Sequence, residues 1–141
     1  MQVHVNGRYL VQRITGQQRY AREIVARLAD RADVIAPAGS AKGIRGHLWE
    51  QLALPRRLRG GLLWSPSATG PLAVRQQVVT IHDCAFVDQA NSYSRTFAAW
   101  YQFLIPRLAR SIRRIITVSE FSKHRIVDVC HVRPENSSVP G

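Results

Sequence analysis

Residues 78–83 read Val-Val-Thr-Ile-His-Asp, an apolar and β-branched run that leads directly into two ionisable side chains. Such a run predicts a buried strand, because β-branched residues favour extended backbone. In a parallel sheet, the carboxyl ends of the strands border the ligand crevice. His82 and Asp83 are therefore predicted to stand at a ligand-binding edge, although a His–Asp pair that merely caps the strand explains the same residues.

Further short apolar segments on both sides of this run predict additional strands. They are Val3–Val5, Asp33–Ala36, Leu62–Trp64, Ile115–Val118 and an extended segment that begins at Ser138. The intervals between most of them carry helical periodicity. Strands that are almost continuously apolar and alternate with helices are typical of a parallel sheet covered on both faces.

The first two predicted helices follow the first two strands. Thr15-Gly16-Gln17-Gln18 fits a capping box, with Thr15 as the N-cap and Gln18 reaching back to it. Tyr20, Ile24 and Leu28 then recur at every fourth residue. After a predicted loop over Pro37–Gly46, a second helix spans His47–Leu54, and Pro55 is expected to end or kink it.

Two longer helices are predicted in the second half of the chain. One spans Ser94–Arg110, with a kink at Pro106 and an apolar face formed by Phe97, Trp100, Tyr101, Leu104, Ile105 and Leu108. The other is capped by Ser119 and runs to Cys130, with Phe121, Ile126, Val127 and Cys130 as its inner face. The whole order predicts an α/β fold, a Rossmann-like doubly wound parallel sheet in one domain over residues 1–141.

Composition narrows the class of protein. The 141 residues are 45% hydrophobic and 21% charged, which is typical of a folded globular chain. Twenty Lys and Arg against nine Asp and Glu give a net charge of +11, which favours an anionic partner such as phosphate, nucleic acid or a membrane surface. Arginines form two sequence clusters, Arg56, Arg57 and Arg59, and Arg107, Arg110, Arg113 and Arg114. Arginines that only solvate the surface explain any one of these residues equally well.

The cellular location is predicted from three features that are not recognisable in the sequence: paired cysteines, a secretory signal and a membrane-spanning segment. Cys84 and Cys130 form no CxxC pair, so neither a disulfide framework nor a zinc ribbon is expected. No secretory signal and no spanning segment is recognisable. The expected location is the cytoplasm, or at most the inner face of a membrane. His124, Asp128 and His131 share a helical face, but no further ligand is evident and no metal is expected there.

Four segments together resemble a family of known enzymes. They are Val5–Arg8 with Thr15–Glu23, Leu48-Trp49-Glu50-Gln51-Leu52-Ala53-Leu54-Pro55, Val79–Asp83, and Ile116–Lys123. In this order and spacing they resemble the N-terminal, acceptor-side domain of retaining family-four glycosyltransferases of the GT-B type. The resemblance covers nearly the whole chain and implies transfer of a sugar from a nucleotide-sugar to a glycan or lipid-linked acceptor, with no cofactor of its own and no catalytic metal.

The resemblance also implies roles for individual residues. His82 and Asp83 are expected to be the catalytic pair. His82 would hold the sugar near the reacting carbon by a hydrogen bond, with proton abstraction as the alternative, and Asp83 would either orient the imidazole or bind an acceptor hydroxyl. The loop before the first helix is expected near the donor diphosphate and the acceptor. Gly16, Gln17 and Arg19 are accordingly predicted to bind substrate, because a helix N-terminus attracts phosphate; a turn that merely needs glycine is the alternative for Gly16.

A second substrate-binding group is expected at the last helix. Ser119, Glu120 and Lys123 lie at its start. Plain N-capping explains Ser119 better than a ligand does, and Lys123 is equally compatible with a solvated charge. Trp100 and Tyr101 fit a core helix, but beside arginines at a surface they would suit a membrane interface.

The nucleotide-sugar is held mainly by a second domain in enzymes of this kind. A stretch like Ser137–Gly141 leads into that domain in the family, and the 141 residues contain no counterpart of it. The chain by itself is therefore expected to transfer no sugar. The alternative function is a non-catalytic basic α/β module that binds nucleic acid or anionic lipid; no nucleic-acid-binding motif is present, so nucleic acid is not expected.

Overall fold

A six-stranded, wholly parallel sheet forms the centre of the protein in the computed structural model, which describes residues 2–12, 16–39 and 43–139. The strands, in chain order, are β1 Val3–Asn6, β2 Ala32–Ile35, β3 Leu62–Ser65, β4 Gln77–Thr80, β5 Arg114–Ile116 and β6 Ser137–Ser138. Every predicted strand is present within two residues of its predicted bounds. The expected α/β, Rossmann-like single domain is confirmed.

Six α-helices accompany the sheet in the described part of the chain. They are α1 Gly16–Leu28, α2 Ile44–Leu48, α3 Leu54–Arg57, α4 Ala85–Asp88, α5 Arg95–Ser111 and α6 Glu120–Cys130. A π-helical turn over Trp49–Ala53 joins α2 to α3, and 3-10 turns cover Gly7–Val11, Ala29–Arg31, Ala90–Ser92 and Pro134–Asn136. None of the helices among the described residues has the length and apolar character that crossing a bilayer requires.

The strand order is β2-β1-β3-β4-β5-β6. The chain therefore leaves β1 toward one edge of the sheet and then builds β3 to β6 toward the other edge. The direction of winding reverses between β1 and β3, which are hydrogen-bonded neighbours. Ligands of open α/β sheets bind beyond the carboxyl ends of the strands at such a reversal.

The two faces of the sheet carry different helices. On one face, Val5 and Trp64 pack with Ala21 of α1. On the opposite face, Val79 and Ile115 pack with residues of α5 and α6, while Leu63 and Ile35 pack with Leu54 of α3. This division follows from right-handed crossovers that run in opposite directions from β1.

The second predicted helix is longer than expected. Ile44, which was assigned to a loop, begins it, and it continues through Pro55 to Arg57. Proline normally breaks a helix because it lacks an N–H and its ring meets the carbonyl four residues earlier. Here the preceding π-helical turn has already changed the spacing, since the N–H of Leu54 bonds to the carbonyl of Trp49 five residues back.

Other expectations about helices have mixed outcomes. Ser119 caps α6 as predicted, and α5 runs through Pro106 to Ser111. The prediction that Phe121 belongs to the inner face of α6 is wrong, because its side chain is 73% exposed. Phe121 lies in the first turn of α6, where it lines a cavity together with residues that follow β4. The proposed cap Thr15 lies outside the described residues.

Candidate functional site

The carboxyl ends of β1, β3 and β4 lie side by side, because these parallel strands are consecutive neighbours in the sheet. Gly7, Pro66 and His82 follow these ends at the same edge. Residues from three distant parts of the sequence are thereby brought together where the winding reverses.

His82 meets both the β3 loop and the first helix. Its ring hydrogen-bonds to the backbone of Pro66, which offers only a carbonyl oxygen because proline has no N–H. The ring of Tyr20 from α1 stands edge-on to the imidazole, with the centroids 4.9 Å apart. His82 therefore lies close to the beginning of α1.

The hydrogen-bond pattern defines the protonation of His82. Nε2 is buried and has no hydrogen-bond partner among the residues that the structure describes. Nδ1 is therefore the nitrogen that donates to the carbonyl of Pro66, and Nε2 keeps a free lone pair. Burial lowers the pKa of His82, against the opposing effects of the Pro66 carbonyl and the Asp83 carboxylate. At neutral pH the ring is consequently a neutral acceptor at the edge of the sheet.

Asp83 is exposed and has a structural partner. Its Oδ1 accepts a hydrogen bond of 2.9 Å from the N–H of Ala85, at the start of α4. The carboxylate thus holds the turn that leads from β4 into α4. Its charge still raises the pKa of His82, so the two groups interact electrostatically.

Gly16 opens α1 at an exposed position. A Cβ placed on it would meet no heavy atom within 4 Å, and its backbone needs no left-handed conformation. Of its neighbours, Gln17 is half-buried and Arg19 is exposed. Gln18 is buried and donates from Nε2 to Oε1 of Gln12 at 3.1 Å. The predicted contact between Gln18 and Thr15 falls outside the described residues.

The start of α6 faces the end of β4 across a cavity of about 190 Å³. Asp83, Cys84 and Asp88 line it on one side, and Phe121 and Arg125 on the other. Burial raises the pKa of the Cys84 thiol to about 11, so this cysteine is a protonated thiol at neutral pH and not a nucleophile.

Of the predicted group at this helix, Ser119 has a structural role. Its Oγ accepts a 3.1 Å hydrogen bond from the N–H of Ser122. Glu120 is exposed and Lys123 is half-buried. His124, Asp128 and His131 are all exposed, and His131 follows the helix end with a φ of 56°. Over the described ranges, no group of three or more His, Cys, Asp or Glu side chains is arranged to hold a metal ion.

Sequence reasoning missed a buried polar cluster beneath this edge. Oε2 of Glu50 accepts hydrogen bonds from Nδ2 of Asn6 at 2.9 Å and from Oγ1 of Thr69 at 3.1 Å. Arg8 donates to Thr69 at 2.9 Å and lies 3.7 Å from Oε1 of Glu50. All four residues are buried. Charged residues within apolar segments were the available signal, and Arg8 and Glu50 both lie in segments that carry the family resemblance.

His47 extends this cluster toward the surface of the protein. Its Nε2 lies 3.1 Å from a guanidinium nitrogen of Arg8, and its Nδ1 lies 3.0 Å from the indole nitrogen of Trp100. Both neighbours are donors, whereas a neutral imidazole has one acceptor nitrogen. A protonated His47 would point both of its N–H groups at donors, one of which, Arg8, is a cation. Burial and the charge of Arg8 lower its pKa to about 4.

Comparison with known proteins leaves the site to be interpreted from its own geometry. Neither a family model nor a curated protein sequence matches this chain. What the edge offers chemically is a neutral imidazole acceptor, an exposed helix start and a carboxylate. These groups suit hydrogen bonding to hydroxyl groups and an anion at the helix start.

Proposed function

We propose that this domain is the acceptor-side half of a retaining glycosyltransferase of the GT-B type. Joined to a donor-binding domain, it transfers a sugar from a nucleotide-sugar to a glycan or a lipid-linked acceptor. The observation that carries the proposal is the unpartnered Nε2 of His82, a buried nitrogen of a neutral ring that follows β4 at the sheet edge where α/β folds bind ligands. The resemblance of four sequence segments supports the same function.

His82 acts in this proposal by positioning. Its Nε2 accepts a hydrogen bond from a sugar hydroxyl, while the Pro66 carbonyl prevents the ring from presenting a proton instead. Holding the sugar near its attacking partner lowers the entropic part of the barrier. Family-four enzymes are generally described as transferring on one face of the sugar without an established protein nucleophile, and no covalent step is assigned to His82.

The other predicted residues bind around this hydrogen bond. The open helix start at Gly16 donates backbone N–H groups to a phosphate oxygen, with Gln17 and Arg19 beside it. Glu120 and Lys123 contact the substrate from the first turn of α6, and Asp83 offers its remaining carboxylate oxygen to an acceptor hydroxyl. Ser119 contributes by fixing the start of α6.

The proposal is tested by supplying the donor-binding half. The 141 residues are fused in cis to the donor-binding domain of a family-four glycosyltransferase, and products are detected by mass spectrometry with a panel of sugar nucleotides and acceptors. The fusion is expected to transfer sugar, the 141-residue chain alone is not, and His82→Ala is expected to lower turnover about 100-fold. His124→Ala, which changes an exposed histidine on α6, serves as the control and should leave turnover unchanged.

A second measurement does not need turnover. Long-range proton–nitrogen NMR of the chain alone should show the Nδ1–H form of His82, and the Nε2 signal should shift when an acceptor sugar is added. Transfer by the chain alone, full activity of the His82→Ala fusion, or an Nε2 signal that no acceptor sugar moves would each contradict the proposal.

A further inference from the structure

An apolar groove lies between the helical segment 44–57 and α5. Its volume is about 330 Å³, and its walls include Ile44, Leu48 and Leu52 on one side and Phe97 and Trp100 on the other. The three aliphatic side chains are 67%, 53% and 59% exposed, respectively. Large apolar side chains that are exposed together in this way mark a surface that binds a protein, a membrane or an apolar ligand.

A hydrogen bond to the buried His47 holds Trp100, one of the groove walls, in place. The indole N–H of Trp100 points inward to Nδ1 of His47 at 3.0 Å. The outer side of Trp100 stacks with Phe103, whose ring centroid is 5.9 Å away. Because the only polar atom of the indole is turned inward, the groove presents a preformed apolar surface.

The chain segments that form the groove carry exposed charge of one sign. Within the described segments 43–59 and 94–114, every exposed charged side chain is an arginine, nine in all. The only acidic residue in these two segments, Glu50, is completely buried. One of the arginines, Arg107, places its guanidinium 4.0 Å from the centre of the Phe103 ring. The exposed Asp and Glu residues of the protein lie on other elements.

We propose that this arginine-flanked groove docks the protein on an anionic lipid bilayer. Exposed aliphatic and aromatic side chains insert at the boundary between headgroups and acyl chains, and flanking arginines contact lipid phosphates. Nucleic acid fits the groove less well, because bases stack on aromatic rings and not on isoleucine and leucine, and such interfaces are polar. The inference depends on this surface alone and does not require that the domain transfers sugar.

Binding of the 141-residue chain to vesicles tests the inference. Sedimentation is compared for vesicles of phosphatidylcholine and for vesicles that also contain phosphatidylglycerol. Binding to the anionic vesicles is expected, and salt should weaken it through screening. Leu48→Ser combined with Leu52→Ser should lower the affinity about 30-fold, since two partly inserted leucines are lost. Val118→Ser, which changes an apolar residue that is 50% exposed outside the groove, is the matched control.

Two double variants, each of which lowers the net charge by two, test whether the position of the arginines matters. Arg45→Gln with Arg107→Gln removes the cation that follows the groove residue Ile44 and the cation over the Phe103 ring, which stacks on Trp100. Arg31→Gln with Arg133→Gln removes two exposed cations elsewhere. The first pair should weaken vesicle binding about fivefold for each arginine, and the second pair much less. Equal losses from both pairs, or leucine variants that bind like the unchanged chain, would show that overall charge and not the groove is responsible.

Two other occupants are separate outcomes of the same experiments. A duplex DNA that competes fully with vesicles and whose binding needs the two leucines would assign the groove to nucleic acid. A dimer in solution that the leucine variants dissociate, without vesicle binding by the monomer, would assign it to a second copy of the chain. Either result would overturn the lipid inference.

Discussion

His47 and His82 show how the surroundings of a ring decide its chemistry. His47 is buried and His82 is half-buried, and burial is the main cause of the lowered pKa of both rings. His82 donates a hydrogen bond to the Pro66 carbonyl, and its buried Nε2 has no partner among the described residues. His47 lies between two donors and has no free nitrogen. The first arrangement suits a ligand, whereas the second connects Arg8 with Trp100.

The stability of the protein should therefore depend on the protonation of His47. Its pKa is about 4 in the folded protein, against an ordinary value of 6.5. Between these values the unfolded chain binds more protons, so stability is lost as the pH falls through this range. Relative to His47→Gln, the free energy of unfolding should drop by about 3 kcal/mol between pH 7 and pH 4. Urea unfolding at a series of pH values measures this difference; a difference that does not change with pH would contradict it.

At the scale of single elements, the surroundings of a glycine determine whether it can be replaced by a residue with a side chain. Gly7, directly after β1, lies under the neighbouring strand, and a Cβ on it would be 2.7 Å from the carbonyl oxygen of Ile35. Gly16, at the start of α1, faces open space. Packing among the described residues thus does not require glycine at position 16, and the role proposed for Gly16 is to let a ligand approach the backbone.

Alanine at the two positions should have opposite effects. Gly7→Ala is expected to lower the free energy of unfolding by about 1–3 kcal/mol through the clash with β2. Gly16→Ala is expected to maintain or raise it by up to ~1 kcal/mol, since alanine favours helix, while lowering turnover in the fusion with a donor-binding domain. Urea unfolding and product formation measure the two effects. A Gly16→Ala fusion with full turnover would remove Gly16 from the binding site.

At the scale of the whole molecule, the buried Arg8–Glu50 pair connects the two parts of the sheet that the chain builds in opposite directions from β1. Arg8 follows β1, and Glu50 belongs to the helical segment between β2 and β3. The cluster also takes in Asn6 at the end of β1 and Thr69 after β3. A buried charge is tolerated only while its partner remains, so the cluster ties the reversal point of the sheet to one arrangement.

A double-mutant cycle on this pair measures that coupling. Arg8→Met and Glu50→Gln should each lower the free energy of unfolding by about 3–5 kcal/mol, because each leaves a buried polar group without its partner. The double variant should cost less than the sum, with a coupling free energy of about 1–3 kcal/mol. The exposed ion pair of Arg125 with Asp88 is the control, and its coupling should stay below about 1 kcal/mol. Additive losses at Arg8 and Glu50 would show that the two side chains act separately.

The class of the fold and the position of His82 could be predicted from local pattern. Apolar runs and helical periodicity determined the alternation of strands and helices, and the alternation implies a parallel sheet. A histidine directly after a strand must then lie at the carboxyl edge. The cap at Ser119 was equally readable, because capping depends on residues only three positions apart.

Contacts between distant segments were decided by the tertiary structure alone. The sequence marks Arg8 and Glu50 as unusual but does not pair residues that are 42 positions apart. It also predicts apolar helix faces without saying what they meet: Phe121 is predicted to face inward, yet its side chain is largely exposed. Periodicity records which side of a helix is apolar, whereas burial depends on which other element arrives to cover that side. Only the assembled sheet and its helices determine that, and with it the lone pair of His82 and the open groove.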